Sequence, residues 1–575
     1  MAVIDPFEFD VNVVDKIRRV EHYGKNIGEN WPVVYVLNNE TEAYVGETHH
    51  ASVRMSQHLQ NEDRRRLTEI RLITGDDFNK SVILDLEAFL IKHMGSDGKY
   101  KLQNGNHGLQ DHDYYQREEY EETFRKIWNK LKTHGIVDHS IEWIENSNFY
   151  KYSPYKSLGS DQLQAEAAIL AALAEDGGHG NGKTIIVRGG AGTGKTILAI
   201  YLMKLFADIN SNGVLANEVT DYLEEDAESI YAAESISGIN KIAIVMPQAT
   251  LNESVKDVFN SIQGLNKDMV LSTSEIVDDY LSTGEKFDLV IVDEAHRLKC
   301  RWHGHLSSYP KFDRCTQALG MEVNEGSELD WIMRCSRNQI FFRDELQTVR
   351  PCDLYGNEFK DIIANYKSDS ESVVDIALSS QWRCEGGDRY INYVRNILSG
   401  VDQPKENFAN YDFKLYDDVN QMVEDIKAKD AEYGLCRNAA GYAWKWISKG
   451  HRNQDKYDIV IHGNKYRWNS TYKNWINTEN SVNEIGCIHT LQGYDLNYVG
   501  VIIGNDIIYN PVTGQIEADK NNYHDQQGKS GVADNIEELT RYIKNIYLTL
   551  MTRGIKGTYV YVCEDKLREY MKKFF

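Results

Sequence analysis

Proline is scarce in this chain, with 8 in 575 residues, so no stretch reads as a long proline-rich linker. Cysteine is as rare. The eight of them, at 300, 315, 335, 352, 384, 436, 487 and 563, never form a C-x-x-C pair. A disulfide-stapled scaffold and a cysteine zinc site are therefore not expected. No window holds the run of about 18 apolar residues that a membrane span needs. The opening Met1–Asp10 is acidic and lacks the basic and apolar regions of a signal peptide. Basic residues are in the minority, 64 Lys and Arg against 87 Asp and Glu, for a net charge of −23. That argues against a simple basic nucleic-acid coat. A nucleic-acid enzyme stays open, because the field inside a groove is set locally. The expectation is a soluble, reduced, cytoplasmic protein with no membrane partner.

What is present is ordinary globular composition, 41% hydrophobic and 26% charged, over a length that suits about three to four domains. Trp31–Leu37 and Ala43–Gly46 are short β-branched runs around the turn-forming Asn38–Glu42, which predicts a hairpin. Ser81–Met94 predicts a mostly buried helix ended by Gly95. Residues 111–155 are polar and rich in Tyr, Glu and Lys at helical spacing, the pattern of a connector helix. From 156 onward short apolar strands alternate with helices: 184–188, 241–246, 289–292, 339–342, 458–462, 499–503 and 558–562. Such alternation predicts parallel sheets with crossover helices, here in two α/β domains. The boundaries read as 1–110, 111–155, 156–350 and 351–575. Glu218–Glu234 and Arg301–Glu328 read as insertions.

Gly189, Gly190, Ala191, Gly192, Thr193, Gly194, Lys195 and Thr196 fit G-x-x-x-x-G-K-[ST] between an apolar strand and a helix. In such a loop the backbone N–H groups wrap phosphate, the lysine reaches the β/γ-phosphates and the threonine hydroxyl ligates Mg²⁺. The apolar run ending at Asp293-Glu294 puts two carboxylates at the carboxyl edge of the same sheet. Asp293 is expected to hold Mg²⁺ and Glu294 to polarise the attacking water.

The order of elements over 156–575 resembles a superfamily 1 helicase core, most closely its Schlafen-like ATPase branch. Asp161–Ala165 resembles the adenine-reading Q motif, which makes Gln162 the reader. Val245–Thr250 is similar to the Ia segment that touches the nucleic-acid backbone. Asp344–Gln347 resembles motif III, which makes Gln347 a γ-phosphate sensor. Leu378–Arg383 is similar to motif IV and His489–Asp495 to motif V. Tyr547–Arg553 is similar to motif VI. Arg383 and Arg553 are thereby implied as arginines acting across lobes. The resemblance implies two RecA-like parallel-sheet lobes that bind ATP with Mg²⁺.

Near the N-terminus Tyr35 and Tyr44 lie on adjacent predicted strands, and Arg54 and His58 share a helix face. Glu87 lies on the later helix. One carboxylate, one arginine, and phenol or imidazole groups are enough to hydrolyse a phosphodiester with one Mg²⁺ or Mn²⁺. Residues 31–106 resemble the GIY-YIG endonucleases. Val33–Tyr35 stands for the first motif and Tyr44–Gly46 for the second. Arg54 follows eight residues after the motif glycine, and His58 stands where that family carries tyrosine or histidine. Glu87 is the implied metal ligand, and Asn104 is preferred to Asn106 as the terminal asparagine. His49, His50, His107 and His112 match no zinc spacing and read as loop histidines. Arg64–Arg66 fits a phosphate contact and a solvated helix end equally well. Trp444, Trp446, Trp468 and Trp475 read first as packing residues.

The expected fold class is thus α/β: a small GIY-YIG-like nuclease domain plus two RecA-like lobes. The expected function is a nuclease–helicase that acts on nucleic acid, DNA ahead of RNA, in antiviral defence. A repair helicase with a binding-only N-terminal module and an ATP-gated nuclease without unwinding are the alternatives. A homo-oligomer is left open.

Overall fold

The protein is described here by a computed structural model. It describes residues 2–105, 114–115, 117–175, 182–210, 236, 238–247, 249–301, 309–354, 356–367, 372–381, 384–448, 456–471, 475–491 and 494–575. The chain divides into two compact units. One comprises residues 1–166, 197–240 and 255–269; the other comprises 167–196, 241–254 and 270–575.

The first unit is built on a five-stranded sheet of order β1-β6-β4-β5-β7. Its strands are β1 (Val3–Glu8), β4 (Val33–Asn38), β5 (Glu42–Thr48), β6 (Glu69–Thr74) and β7 (Lys101–Leu102), and a small ribbon joins β2 (Glu21–His22) to β3 (Lys25–Asn26). β4 and β5 form the expected antiparallel hairpin, with Tyr35 opposite Gly46. Every residue of β4 is buried, as a continuous apolar run demands when both faces of a strand are covered. Tyr35 and Leu37 pack on one side with Ala51 and Met55 of the helix Ala51–Gln60, and the helix Lys80–Asp97 lies against β4 and β5.

That second helix runs past the predicted stop. It continues through Gly95 to Asp97 and is capped by Gly98 at φ +80°. Gly95 serves packing instead: a Cβ there would lie 2.5 Å from the ring of Tyr155, which is itself fully buried. Gly95→Ala is therefore expected to lose about 1–3 kcal/mol through overpacking, more than the gain of about 1 kcal/mol in helix propensity. A lowered thermal midpoint checks this, and an unchanged or raised one refutes it. The connector is helical, over Arg117–Thr133. Its buried stripe of Phe124, Ile127, Trp128 and Leu131 packs inward, with Phe124 against Phe89 and Trp128 against His93.

The second unit holds two parallel sheets. The first has the order β10-β9-β11-β12-β8-β13, from β8 (Thr184–Gly189), β9 (Ile242–Val245), β10 (Val270–Leu271), β11 (Phe287–Val292), β12 (Ser336–Arg343) and β13 (Val373–Leu378). β13 pairs with β8 in parallel, so the first lobe ends beyond Leu378 and not at the expected residue 350. The second sheet has the order β14-β22-β19-β15-β18. It comprises β14 (Asp412–Tyr416), β15 (Arg437–Ala440), β18 (Ile485–Cys487), β19 (Leu496–Ile503) and β22 (Gly554–Val562). The expected strand 458–462 is not part of it. Among the described residues β16 (Ile459–Ile461) pairs only with β17 (Asn464–Tyr466) in an antiparallel ribbon, as β20 (Ile507–Asn510) does with β21 (Gln515–Ala518). Among the described residues no helix is long and apolar enough to cross a membrane.

Candidate functional site

β8 delivers the glycine-rich loop at the carboxyl edge of the first sheet. Gly192 and Gly194 sit at φ +83° and +76°, a left-handed backbone that a side chain would strain. A Cβ on Gly189 would collide with the Thr193 hydroxyl, which donates to Gly190 O at 3.1 Å. The loop is thus shaped by its own residues. Lys195 folds back on it, Nζ donating to Gly189 O at 2.8 Å and to Gly190 O at 2.7 Å.

β11 brings the carboxylates. Asp293 Oδ2 accepts from Thr196 Oγ1 at 2.7 Å, while Asp293 Oδ1 is buried with no hydrogen-bond partner. A hydroxyl and an orphaned carboxylate oxygen side by side fit a hard divalent cation. Burial, then the adjacent Glu294, raises the pKa of Asp293, a strain that a bound cation would relieve. Glu294 takes the left-handed conformation, φ +50°. Its burial alone would raise its pKa, but His296, Lys195 and Arg553 together hold it well below the usual carboxylate range. Motif spacing gives His296 no role. It is fully buried, its Nδ1 accepts from the Asp344 N–H at 3.3 Å, and its Nε2 lies 3.0 Å from Glu294 Oε2.

A line of contacts then crosses to the second lobe. Lys195 Nζ lies 3.9 Å from Asp344 Oδ2. The same oxygen accepts from Gln347 Nε2 at 2.7 Å. Gln347 Oε1 accepts from Arg553 Nη2 at 2.9 Å, and Arg553 Nη1 reaches Tyr494 O at 3.4 Å. Asn545 adds a second link, Nδ2 to Thr348 O at 3.0 Å. The sequence contains no local signal for Tyr494 O or Asn545, since both act through backbone contacts between distant segments.

Other expected residues fall differently. Gln162 is buried, and its Oε1 accepts from the Gly159 N–H at 2.9 Å, closing the start of its own helix. Arg383 lies outside the described residues, as do Gln248, Gln492 and Gly493 of the resembling segments, the acidic stretch 218–234, Asn106, His107 and His112. Trp468 and Trp475 are buried, and Trp444 and Trp446 pack near Trp468 at 6.5 and 6.0 Å between ring centroids. These tryptophans pack.

In the first unit Tyr35, Tyr44, Arg54 and His58 converge. Tyr35 OH and His58 Nε2 are 2.7 Å apart, Arg54 Nε donates to Tyr35 OH at 3.4 Å, and Tyr44 meets the edge of His58 at 5.2 Å. Burial keeps Tyr35 a phenol, with Tyr44 and Glu87 adding to the shift. Glu87 is buried on the helix behind. Arg64 is not solvated: it is buried, its guanidinium lies 3.8 Å over Tyr44, and Nη1 donates to Gln103 Oε1 at 2.7 Å. Asn104 is bound to the edge of β5. Its side chain donates to Val45 O at 2.8 Å and accepts from Val45 N at 3.0 Å, mimicking a strand neighbour of β5. Among the described residues no three His, Cys, Asp or Glu side chains converge to hold a metal.

Burial, then Arg54 and Arg64, lowers the pKa of His58 from 6.5 to about 3. Its neutral form thus contributes stability that is complete above pH 6.5 and is lost as pH falls from there toward 3. The His58 ring resonances are expected to stay constant from pH 5 to 8 by NMR. A midpoint near 6.5 would refute the buried neutral ring.

Residues 182–564 match the family model described as Schlafen group 3, DNA/RNA helicase domain. The chain belongs to the Schlafen group 3 family. Its Schlafen-type domain is a helicase-like P-loop ATPase domain, and the model's match starts well after the first-unit cluster. Over 339 residues the chain is 26% identical to uncharacterized protein YPL245W of Saccharomyces cerevisiae, spanning 54% of this chain and 70% of that protein. Among solved structures it is similar to a Pif1 helicase from Bacteroides in complex with ADP-AlF3 and ssDNA, at 11% identity and a TM-score of 0.24, covering 61% of this chain and 87% of that one. It is also similar to a DEAD box protein from the hyperthermophile Methanococcus jannaschii, at 12% identity and a TM-score of 0.24, covering 76% and 94%.

Proposed function

We propose that the Schlafen-type domain hydrolyses ATP in dependence on nucleic acid, with the phosphate gripped by Gly189–Thr196 in one lobe and met by Arg553 from the other. The observation that carries this reading is the unbroken line Lys195–Asp344–Gln347–Arg553. A γ-phosphate placed beside Lys195 would compete for the same charges that join the lobes, so its arrival and loss would change the lobe contact. Glu294, kept ionised, is the group suited to accept a proton from the attacking water. Thr196 and Asp293 would hold Mg²⁺, which neutralises phosphate charge when bound with ATP.

The test is ATP turnover by the full chain with and without a single-stranded DNA or RNA oligonucleotide. Stimulation by either supports the reading, and the stronger of the two answers DNA against RNA. Equal turnover with and without both refutes it. With a net charge of −23, binding must rest on a locally basic path, so affinity should fall steeply with salt.

A second activity, metal-dependent phosphodiester cleavage by the first unit, is supported by the Tyr35–His58 contact with Arg54 beside it. A neutral His58 would hold the Tyr35 hydroxyl in place, so that the phenol oxygen orients the attacking water. Arg54 would stabilise the charge on phosphate, and Glu87 would hold the metal. Supercoiled plasmid with Mg²⁺ or Mn²⁺ tests it: cutting by the full chain that is lost in Arg54→Ala supports the activity. No cutting, or equal cutting by the variant, overturns it.

A further inference from the structure

A cavity of about 540 Å³ opens beside the turn that carries Gln347. It is lined by the helix Gly387–Ser399, by β21, by the helix Ile536–Met551 and by Leu346. The volume is that of a small-molecule site. Its floor is aliphatic: Leu398, Ile516 and Leu548 are buried there. Among the described residues no aromatic side chain lines it, and its apolar surface is aliphatic.

Two cations line this cavity with no ion-pair partner among the described residues, although Glu517, which also lines it, acts on Lys544. In a chain with 23 more acidic than basic residues, neither Arg395 nor Lys544 makes an ion pair with a described residue. Arg395 Nη1 donates to Asn392 Oδ1 at 3.0 Å, but its Nε is buried with no hydrogen-bond partner. Burial lowers the pKa of Lys544 in spite of Glu517. Glu517 is engaged elsewhere, accepting from Thr513 Oγ1 at 3.0 Å and Asn510 Nδ2 at 3.3 Å. A third cation on the wall, Arg541, is already paired with Glu538 at 3.2 Å. Glu537 also lines the cavity.

We propose that this cavity binds a small amphiphilic anion, with an aliphatic body on the leucine and isoleucine floor and a phosphate or carboxylate head between Arg395 and Lys544. The site sits on the link between the lobes. Leu346 precedes Gln347, which holds Arg553, and Asn545, next to Lys544, holds Thr348. A ligand seated there stiffens both contacts and so changes ATP turnover, and by linkage ATP changes its affinity. This second half rests on the ATPase reading; the binding itself does not.

Calorimetric titration of the full chain with octyl phosphate, octanoate and the neutral 1-octanol tests the site, beside the double variant Arg395→Gln/Lys544→Gln. Saturable binding of an anion that weakens about tenfold or more in the double variant supports it, and the two anions distinguish a phosphate from a carboxylate head. An unchanged thermal midpoint shows that the double variant is folded. No saturation, equal affinity in the double variant, or equal binding of octanol overturns it. ATP turnover that shifts at saturating anion in the natural chain and not in the double variant supports the coupling, and unshifted turnover overturns that half. A chain with no ATP turnover at all refutes the ATPase reading and leaves the titration to decide the site.

Discussion

Arg553→Ala is expected to lower ATP turnover by about 10³-fold or more while changing ATP affinity only a few-fold, the behaviour of an arginine that acts on charge in the transition state. Three features of its position lead to this. It is buried, it donates to Gln347 from the opposite lobe, and its charge helps hold Glu294 ionised. Arg553→Lys is expected to fail nearly as badly. Arg553 reaches Gln347 Oε1 and Tyr494 O from two separate nitrogens, and the three donors of an ammonium, all on one nitrogen, lack the guanidinium's rigid fork needed to meet both and phosphate at once. Single-turnover hydrolysis and equilibrium binding of ATP separate the two effects. Turnover within about threefold of the natural chain would remove Arg553 from the catalytic machinery.

Lys195→Ala is expected to reduce turnover by about 10²–10³-fold, the loss typical when one preorganised charge donor is deleted, and here affinity falls as well. Without ATP this lysine is satisfied by two carbonyls of its own loop. A phosphate would take over those bonds and keep the ammonium beside Asp344, 3.9 Å away. Alanine leaves Asp293, Glu294 and Asp344, all buried, facing an incoming polyanion with their nearest cation gone. Titration with a non-hydrolysable ATP analogue checks the affinity. Binding as tight as in the natural chain would mean that the loop N–H groups alone hold the nucleotide.

These two residues also mark what was legible from the amino acids. Lys195 belongs to a contiguous motif whose strand, tight glycine turn and helix are dictated locally, so its place was readable. Arg553 was readable as a motif residue, but its partner was not: the contact to Gln347 joins positions that only the tertiary fold brings together. Strand β15 was missed because Arg437-Asn-Ala-Ala440 looks polar. Its arginine is buried because Ser481 Oγ, Asp430 Oδ1 and Ile476 O absorb its donors. The residues of β13 were assigned to the second lobe, within 351–575, whereas β13 pairs with β8 of the first, since an apolar run says nothing of which sheet edge accepts it. The residues 458–462 show the converse: a short apolar run, Ile459-Val-Ile461, serves a two-stranded ribbon as well as a central strand. Asn104 and Gln162 suggest chemistry by their side-chain type, while Asn104 pairs with the backbone of Val45 and Gln162 Oε1 accepts from the Gly159 N–H, uses that no motif announces. The defence role came from the pairing of modules, which is not a physical property of either.

The late end of the first lobe has a consequence for how the protein can be taken apart. Every strand of the first parallel sheet lies before residue 379 and every strand of the second lies after 411. The polypeptide therefore passes from one sheet to the other once, without returning. A break introduced in that passage leaves both sheets whole. Two separately made pieces should then find each other through Gln347 with Arg553 and Thr348 with Asn545, so that reassembly becomes something a nucleotide or a nucleic acid can drive, and the protein a natural candidate for a split reporter.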